Sequence, residues 1–187
     1  MKQGIFEIIS NREIAPNTFE MVISGDCSAV SAPGQFVNIQ LDGLYLRRPI
    51  SVCDVDDKSL TIIYKVVGKG TAQMSQMVVG EKLDVLTGLG NGYDLSLSGN
   101  APVLLGGGVG VPPMYLLCKW LIAEGKKPTV ILGFNKAEEV FYEEEFKALG
   151  CPVLVTTVDG SYGIKGFVTD ALKDVDYTHF CTCGPEP

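Results

Sequence analysis

The distribution of apolar residues changes rhythm near residue 98, and this change limits the chain to an architecture in two parts. Before it, short runs rich in β-branched and aromatic residues recur at Ile5–Ile9, Thr18–Ile23, Phe36–Leu41, Ile50–Val55, Leu60–Val67 and Leu83–Thr87. Gly, Pro, Asn or Asp lies between many of them, as turns between strands require. The stretches Thr18–Ile23 and Gln35–Gln40 partly alternate polar with apolar residues, the pattern of half-buried strands. A small antiparallel barrel of Greek-key type is predicted over residues 1–97. One helix interrupts it, over Thr71–Val79, where Met74, Met77 and Val78 fall at three- and four-residue offsets on one face.

Beyond residue 98 the rhythm becomes strand, turn, helix, strand. Val103–Leu105 is a short apolar run ending in glycines, Met114–Ala123 reads as helix, Thr129–Leu132 as strand and Glu138–Leu149 as amphipathic helix. Val153–Val158 then reads as a buried strand, Phe167–Leu172 as a short helix and Thr178–Thr182 as a last strand. Strands alternating with helices imply parallel pairing, because parallel neighbours cannot be joined by a tight hairpin. An α/β, Rossmann-like parallel sheet is predicted over residues 98–187.

Composition narrows the functional classes. The 187 residues, 46% of them hydrophobic, suffice for one large or two small cores. A formal charge of −7 with acids and bases interspersed leaves no basic patch for a phosphate backbone, so nucleic acid is not an expected partner. The N-terminus lacks the pattern of a secretory signal, and no apolar run approaches the ~20 residues of a membrane span; a cytoplasmic protein with no membrane association is expected. The six cysteines (Cys27, Cys53, Cys118, Cys151, Cys181 and Cys183) do not have the spacing of a disulfide framework, and most are expected to be reduced and buried.

Two motifs carry chemistry. Gly106-Gly107-Gly108-Val109-Gly110-Val111-Pro112-Pro113 joins a predicted strand to a predicted helix. Glycines there let the backbone approach a pyrophosphate, and Pro112 or Pro113 suits the first helical position, where a missing N–H costs nothing. The spacing departs from Gly-x-Gly-x-x-Gly, since the last position is Val111 counted from Gly106 and Pro113 counted from Gly108. A tight turn without a ligand is the alternative. The second motif is Arg48-Pro49-Ile50-Ser51 at the head of a strand, followed by Ile63-Tyr64-Lys65 and Gly68-Lys69-Gly70-Thr71. An arginine fork can hold a pyrophosphate, a serine hydroxyl can bond a flavin edge, and Gly70 and Thr71 can offer helix-start N–H groups.

In this order, Arg48-Pro49-Ile50-Ser51, Gly68-x-Gly70-Thr71, Gly106-Gly107-Gly108-x-Gly110-x-Pro112-Pro113 and Cys183-Gly184-Pro185 resemble the ferredoxin-NADP reductase superfamily over nearly the whole chain. Within it, Leu46–Ser51, Leu89-Gly90-Asn91-Gly92-Tyr93, Asp159-Gly160-Ser161-Tyr162-Gly163 and Cys183-Gly184-Pro185-Glu186-Pro187 are similar to the electron-transfer subunits of B-type dihydroorotate dehydrogenases. The resemblance implies an NAD-linked flavoprotein that passes electrons from dihydroorotate oxidation on an FMN-containing catalytic subunit to NAD, in a heterotetramer serving pyrimidine biosynthesis. It implies that Arg48, Gly70 and Thr71 hold the FAD phosphates and that Pro49, Ile50, Ser51, Ile63, Tyr64 and Lys65 line the flavin and its ribityl chain. Gly107, Gly108, Gly110 and Pro112 would form the NAD phosphate loop, with Cys183, Gly184 and Pro185 near the nicotinamide.

Two departures from the family pattern stand out. Ile50 occupies a position where many superfamily members carry a Tyr that stacks on the flavin, so only apolar contact is expected there. The family also continues past Cys-Gly-Pro-Glu-Pro into cysteines that bind a 2Fe-2S cluster, whereas this sequence ends at Pro187, so a domain truncated at its C-terminus is expected. Cys181 and Cys183 fall on one face of a predicted strand but cannot complete a four-ligand site, and no metal ligands are assigned. His179, the Glu143-Glu144-Glu145 run, Lys119 and Trp120 read as surface or packing residues. Asp159 is either turn chemistry or close to a ligand. A flavin or ferredoxin reductase subunit of another redox complex, and a non-redox nucleotide-binding module, are the alternative functions.

Overall fold

A computed structural model describes residues 1–184 of the chain. It divides into two compact units between Tyr93 and Asp94. The first unit is a closed barrel of β1 (Lys2–Ala15), β2 (Thr18–Ser24), β3 (Phe36–Gln40), β4 (Arg48–Val55), β5 (Ser59–Lys65) and β6 (Lys82–Leu89), in the spatial order β1-β2-β5-β4-β3-β6. Strands β3, β4 and β5 are successive antiparallel neighbours, and β6 returns beside β3, which is the Greek-key arrangement predicted. Alternation fills the interior: Phe6 and Ile8, Met21 and Ile23, Val37 and Ile39, Leu60 and Ile62, and Leu83 and Val85 are all buried. The β1–β2 hairpin closes through Pro16 and Asn17, the latter left-handed at φ 57°.

The helix of this unit is shorter than the periodicity predicts. Helix α1 spans Lys69–Ser75. Met74 is fully buried, but Val78 and Val79 lie beyond the helix and are 63% and 65% exposed. The Asn11 amide donates to the Met74 and Met77 carbonyls at 2.9 Å each, so a side chain from β1 satisfies backbone acceptors where the helix stops.

The second unit is a five-stranded parallel sheet of β7 (Pro102–Gly107), β8 (Thr129–Phe134), β9 (Val153–Thr157), β10 (Ile164–Lys165) and β11 (His179–Cys183), ordered β10-β9-β8-β7-β11. The two-residue β10 has no sequence signature and was not anticipated. On one face, Val103, Leu105, Ile131 and Ala171 form a core joined by Leu154, Val168 and Leu172, the last three residues being partly buried, with helix α4 (Val168–Leu172) supplying the cover. Helix α2 (Val111–Ala123) and helix α3 (Glu143–Ala148) meet through Tyr115, whose ring stands edge-on to Tyr142 at 5.1 Å and Phe146 at 5.2 Å.

The helix predicted over Glu138–Leu149 is broken. A single 3-10 turn covers Ala137–Glu139, Tyr142 takes a left-handed φ of 66°, and α3 begins only at Glu143. Phe141 and Tyr142 are both buried, and neighbouring residues on a helix point about 100° apart. Interrupting the helix lets both aromatic rings pack. No helix among the described residues is long and apolar enough to cross a membrane.

Candidate functional site

In the barrel, the structure brings Arg48 and Gly70 together. A Cβ at Gly70 would lie 2.0 Å from Arg48 Nε and 2.8 Å from its Cζ, so the guanidinium lies across the start of α1 in space that a side chain at this position would take. Thr71 closes that helix start: its Oγ1 accepts from the Val67 N–H at 2.9 Å and the Gly68 N–H at 3.3 Å, and donates to the Gly68 carbonyl at 3.2 Å. Thr71 Oγ1 is therefore engaged in capping, and what this segment can offer an anion is backbone N–H together with the arginine charge.

The flanking strands part at the same place. The β4–β5 ladder pairs Val55 with Leu60, Asp54 with Thr61 and, past a bulge, Val52 with Ile62, and there it ends. Arg48–Ser51 and Ile63–Lys65, the segments predicted to line one ligand, lie beyond that end on the two diverging strands. On its other side β4 stays paired to β3, with Pro49 opposite Asn38 and Ser51 opposite Phe36. Pro49 is exposed, and Ile50 and Ser51 are half-buried. Ile63 and Tyr64 are 3% and 2% exposed; the Tyr64 hydroxyl donates to Asn11 Oδ1 at 3.0 Å and its ring stacks on Phe19 at 5.8 Å. Burial pushes the Tyr64 phenol up to about 12. Its side chain is thus committed to the barrel interior.

Two residues beside this site were missed from sequence. Arg47 donates from Nη1 to the Asn38 carbonyl at 3.2 Å and to Asp84, carbonyl and carboxylate, at 3.2 and 3.0 Å, tying β3 to β6. That bond holds the Asp84 carboxyl below the usual carboxylate range, with Gln3 adding a second donor. The adjacent arginines therefore divide in role, which the dipeptide alone does not reveal. Asn38 Oδ1 is buried without a hydrogen-bond partner, opposite Pro49 in the ladder; a polar residue inside the Phe36–Gln40 strand was the available signal.

In the second unit, β7 runs into a 3-10 turn over Gly108–Gly110 and then directly into α2. Gly108 is left-handed at φ 50°, with nothing within 4 Å of where a Cβ would sit. Helix α2 starts at Val111, so Pro112 and Pro113 are its second and third residues, where an N–H would also have no helical acceptor. β11 lies parallel to β7 with Cys183 opposite Gly106. A Cβ at Gly110 would lie 2.2 Å from the Cys183 carbonyl oxygen and 2.6 Å from the Gly184 nitrogen, and one at Gly184 would lie 3.3 Å from Gly107 Cα. Gly107, Gly108, Gly110, Pro112, Cys183 and Gly184 therefore converge at the C-terminal ends of β7 and β11. The sheet grows from β7 towards β8 and β9 on one side and places β11 on the other, so this is a topological switch point, where open α/β sheets bind ligands. Pro185 lies outside the described residues.

The remaining candidates are engaged by their neighbours. The Asp159 carboxylate accepts from Ser161 Oγ at 2.6 Å and Ser161 N at 2.9 Å, which is turn chemistry and lowers its pKa. Glu143 does more than face solvent: it pairs with Lys147 at 2.8 Å and accepts from the Tyr162 hydroxyl at 3.0 Å. After β8, Lys136 is ion-paired with Glu138, and the Asn135 amide donates to Glu139 at 3.0 Å. Among the described residues, no three His, Cys, Asp or Glu side chains are grouped to hold a metal ion.

No family model matches the chain. A Bacillus pumilus protein named dihydroorotate dehydrogenase B (NAD(+)), electron transfer subunit, is 44% identical over 197 residues, covering 100% of this chain and 76% of the relative. The protein of the same name from Fusobacterium nucleatum is 46% identical, covering 95% of this chain and 73% of its own length. Among solved structures, an NADH-dependent reduced ferredoxin-NADP oxidoreductase superposes with a TM-score of 0.80 at 34% identity, over 91% of this chain and 62% of that one. A ferredoxin NADP+ reductase from Neisseria gonorrhoeae with bound FAD and NADP gives a TM-score of 0.80 at 18% identity over 93% of this chain and 77% of that one, a likeness of fold.

Proposed function

The chain belongs to the family of electron-transfer subunits of dihydroorotate dehydrogenase B, and on that premise we propose how its own residues serve NAD-linked flavin electron transfer. The observation that carries the reading is the cradle at Gly70, where a glycine makes room for the Arg48 guanidinium at a helix start, beside the end of the β4–β5 ladder. This fits FAD: Arg48 with the Gly70 and Thr71 backbone would hold the pyrophosphate, and Pro49, Ile50, Ser51 and the Ile63–Lys65 segment would flank the flavin and ribityl chain. Ile50 would contribute apolar contact only. When bound, FAD supplies the carrier that exchanges a hydride with a nicotinamide. The protein's part is to fix the ring and to keep water from it.

The glycine turn before α2 would hold the NAD pyrophosphate on backbone N–H groups, with Cys183, Gly184 and Pro185 beside the nicotinamide. The end of β8 favours NAD over NADP, because Glu138 neutralises Lys136 and Glu139 lies close by, a setting suited to a ribose hydroxyl rather than a 2′-phosphate. The family name supports a catalytic partner. We infer that this is an FMN-containing, dihydroorotate-oxidising subunit in a cytoplasmic heterotetramer serving pyrimidine biosynthesis. The described residues assemble no iron-sulfur ligand set.

The test is a visible spectrum of the purified chain, with the cofactor extracted and identified, before and after anaerobic NADH. Extracted FAD and a flavin band bleached by NADH are the expected results, followed by dihydroorotate-dependent reduction once the catalytic subunit is added. A chain that rejects FAD on reconstitution would remove the barrel as a flavin site. Bleaching by NADH with no response to dihydroorotate plus the subunit would instead indicate a reductase of another complex.

A further inference from the structure

Cys118 lies in the middle of α2, and Cys151 follows Leu149 and Gly150 in the turn between α3 and β9. Their sulfurs are 3.2 Å apart, and the residues are 0% and 9% exposed. Two small apolar side chains filling a core account for the burial; here the two sulfurs also meet in a thiol–thiol contact. Either sulfur can donate in this contact, and the surroundings of Cys151 select one direction. Cys151 Sγ donates to the Phe146 carbonyl at 3.4 Å, which leaves its lone pairs to accept from the Cys118 thiol. The hydrogen bond that Cys151 accepts from Cys118 holds Cys151 below the ordinary thiol range, while the same contact and burial push Cys118 up. Bonded sulfurs stand at about 2.05 Å, so closing the pair needs a shift of about 1 Å. The turn can supply this: Gly150 is left-handed at φ 85°, and nothing lies within 4 Å of where a Cβ would sit.

We propose that Cys118 and Cys151 are an oxidisable dithiol, a modification site at which a peroxide forms a disulfide that fastens α2 to the α3–β9 turn. The Cys151 thiolate attacks one peroxide oxygen; an S–O bond forms, the O–O bond breaks, and the leaving hydroxide takes a proton to become water. Cys118 then gives up its proton and attacks the Cys151 sulfur, the S–S bond forms, the S–O bond breaks and a second water leaves. Two thiols are oxidised by two electrons, and one peroxide is reduced to two waters. The crosslinked helix is the one whose first turn continues from Gly108–Gly110, so the disulfide sets the mobility of the segment that carries the glycine turn.

The experiment uses the full chain loaded with FAD, reduced, desalted and exposed to a small excess of hydrogen peroxide, then unfolded, alkylated and mapped by mass spectrometry. The expected result is a loss of two hydrogens in mass, two fewer alkylated cysteines than the six of the reduced chain, and a linked peptide joining Cys118 to Cys151 that dithiothreitol releases. Retention of all six alkylation sites, a link between other cysteines, or oxygen addition at Cys151 without the link would each overturn the proposal. C118A and C151A are each expected to abolish the link while keeping NADH-driven flavin reduction in the absence of peroxide. The wild-type map decides the question by itself if either variant fails to fold.

Discussion

Gly70→Ala is the sharpest probe of the proposed flavin site, because it separates ligand binding from folding. The new methyl would lie 2.0 Å from Arg48 Nε, 2.8 Å from Cζ and 2.9 Å from Cδ, all atoms of a flexible side chain and none of the backbone. Arg48 must therefore swing away, while the barrel need not move. Gly70 has no left-handed φ, so alanine can adopt its conformation, and within a helix alanine is favoured over glycine by roughly 0.5–1 kcal/mol. Stability should be close to unchanged. The loss falls on the ligand: removing a charge-assisted hydrogen bond costs about 1.5–3 kcal/mol. At 1.4 kcal/mol per tenfold, this weakens FAD binding by about 10- to 150-fold. Quenching of FAD fluorescence on titration into apoprotein gives the affinity, and a thermal melt checks the fold. Gly68→Ala is the control, since Gly68 is extended at φ −175° with nothing within 4 Å of its Cβ position. A folded G70A variant that binds FAD as tightly as wild type would refute the assignment of Arg48 and Gly70 to the phosphates.

Further predictions separate the remaining parts. Arg47→Ala should lower stability by about 1–3 kcal/mol in urea titrations with little effect on FAD affinity, because Arg47 holds Asn38 and Asp84. Arg48→Ala should do the reverse, and equal effects of both variants on FAD would contradict the division. Gly110→Ala places a methyl against the Cys183 and Gly184 backbone, which cannot rotate aside, so a loss of about 1–3 kcal/mol and a raised KM for NADH are expected from melts and from flavin-reduction kinetics. For Tyr64, the folded value of about 12 stands above its ordinary 10, so the unfolded chain loses that proton first as pH rises. Its contribution is complete below pH 10 and is lost between about pH 10 and 12; denaturation of wild type and Tyr64→Phe across this window should show the wild type losing more stability than the variant.

Much of this was legible in the sequence because alternation and helical periodicity are local properties. The barrel strands, the parallel-sheet strands other than β10, and the two glycine motifs follow from which residues repeat at which spacing. The resemblance alone assigns Arg48 and Gly70 to a phosphate site, and the structure brings the two together. The reason Gly70 is glycine could not be read from sequence, because the arginine that fills its space is 22 positions earlier in sequence and reaches it only through the barrel. The division between Arg47 and Arg48 depends likewise on Asp84, a residue of a strand that pairs with β3 rather than with β4. The break before α3 escaped the pattern because Glu138–Leu149 satisfies a helical template, while burial of Phe141 and Tyr142 against residues from other elements rewards leaving it. The contact of Cys118 with Cys151, 33 positions apart, is of the same kind. The sequence by itself determined the strands of the barrel, most strands of the parallel sheet and which residue types can meet a phosphate. Tertiary structure decided where the strand ladders end, which glycines are held against another backbone and which of two adjacent arginines is tied to Asp84, because those depend on pairings between segments far apart in the chain.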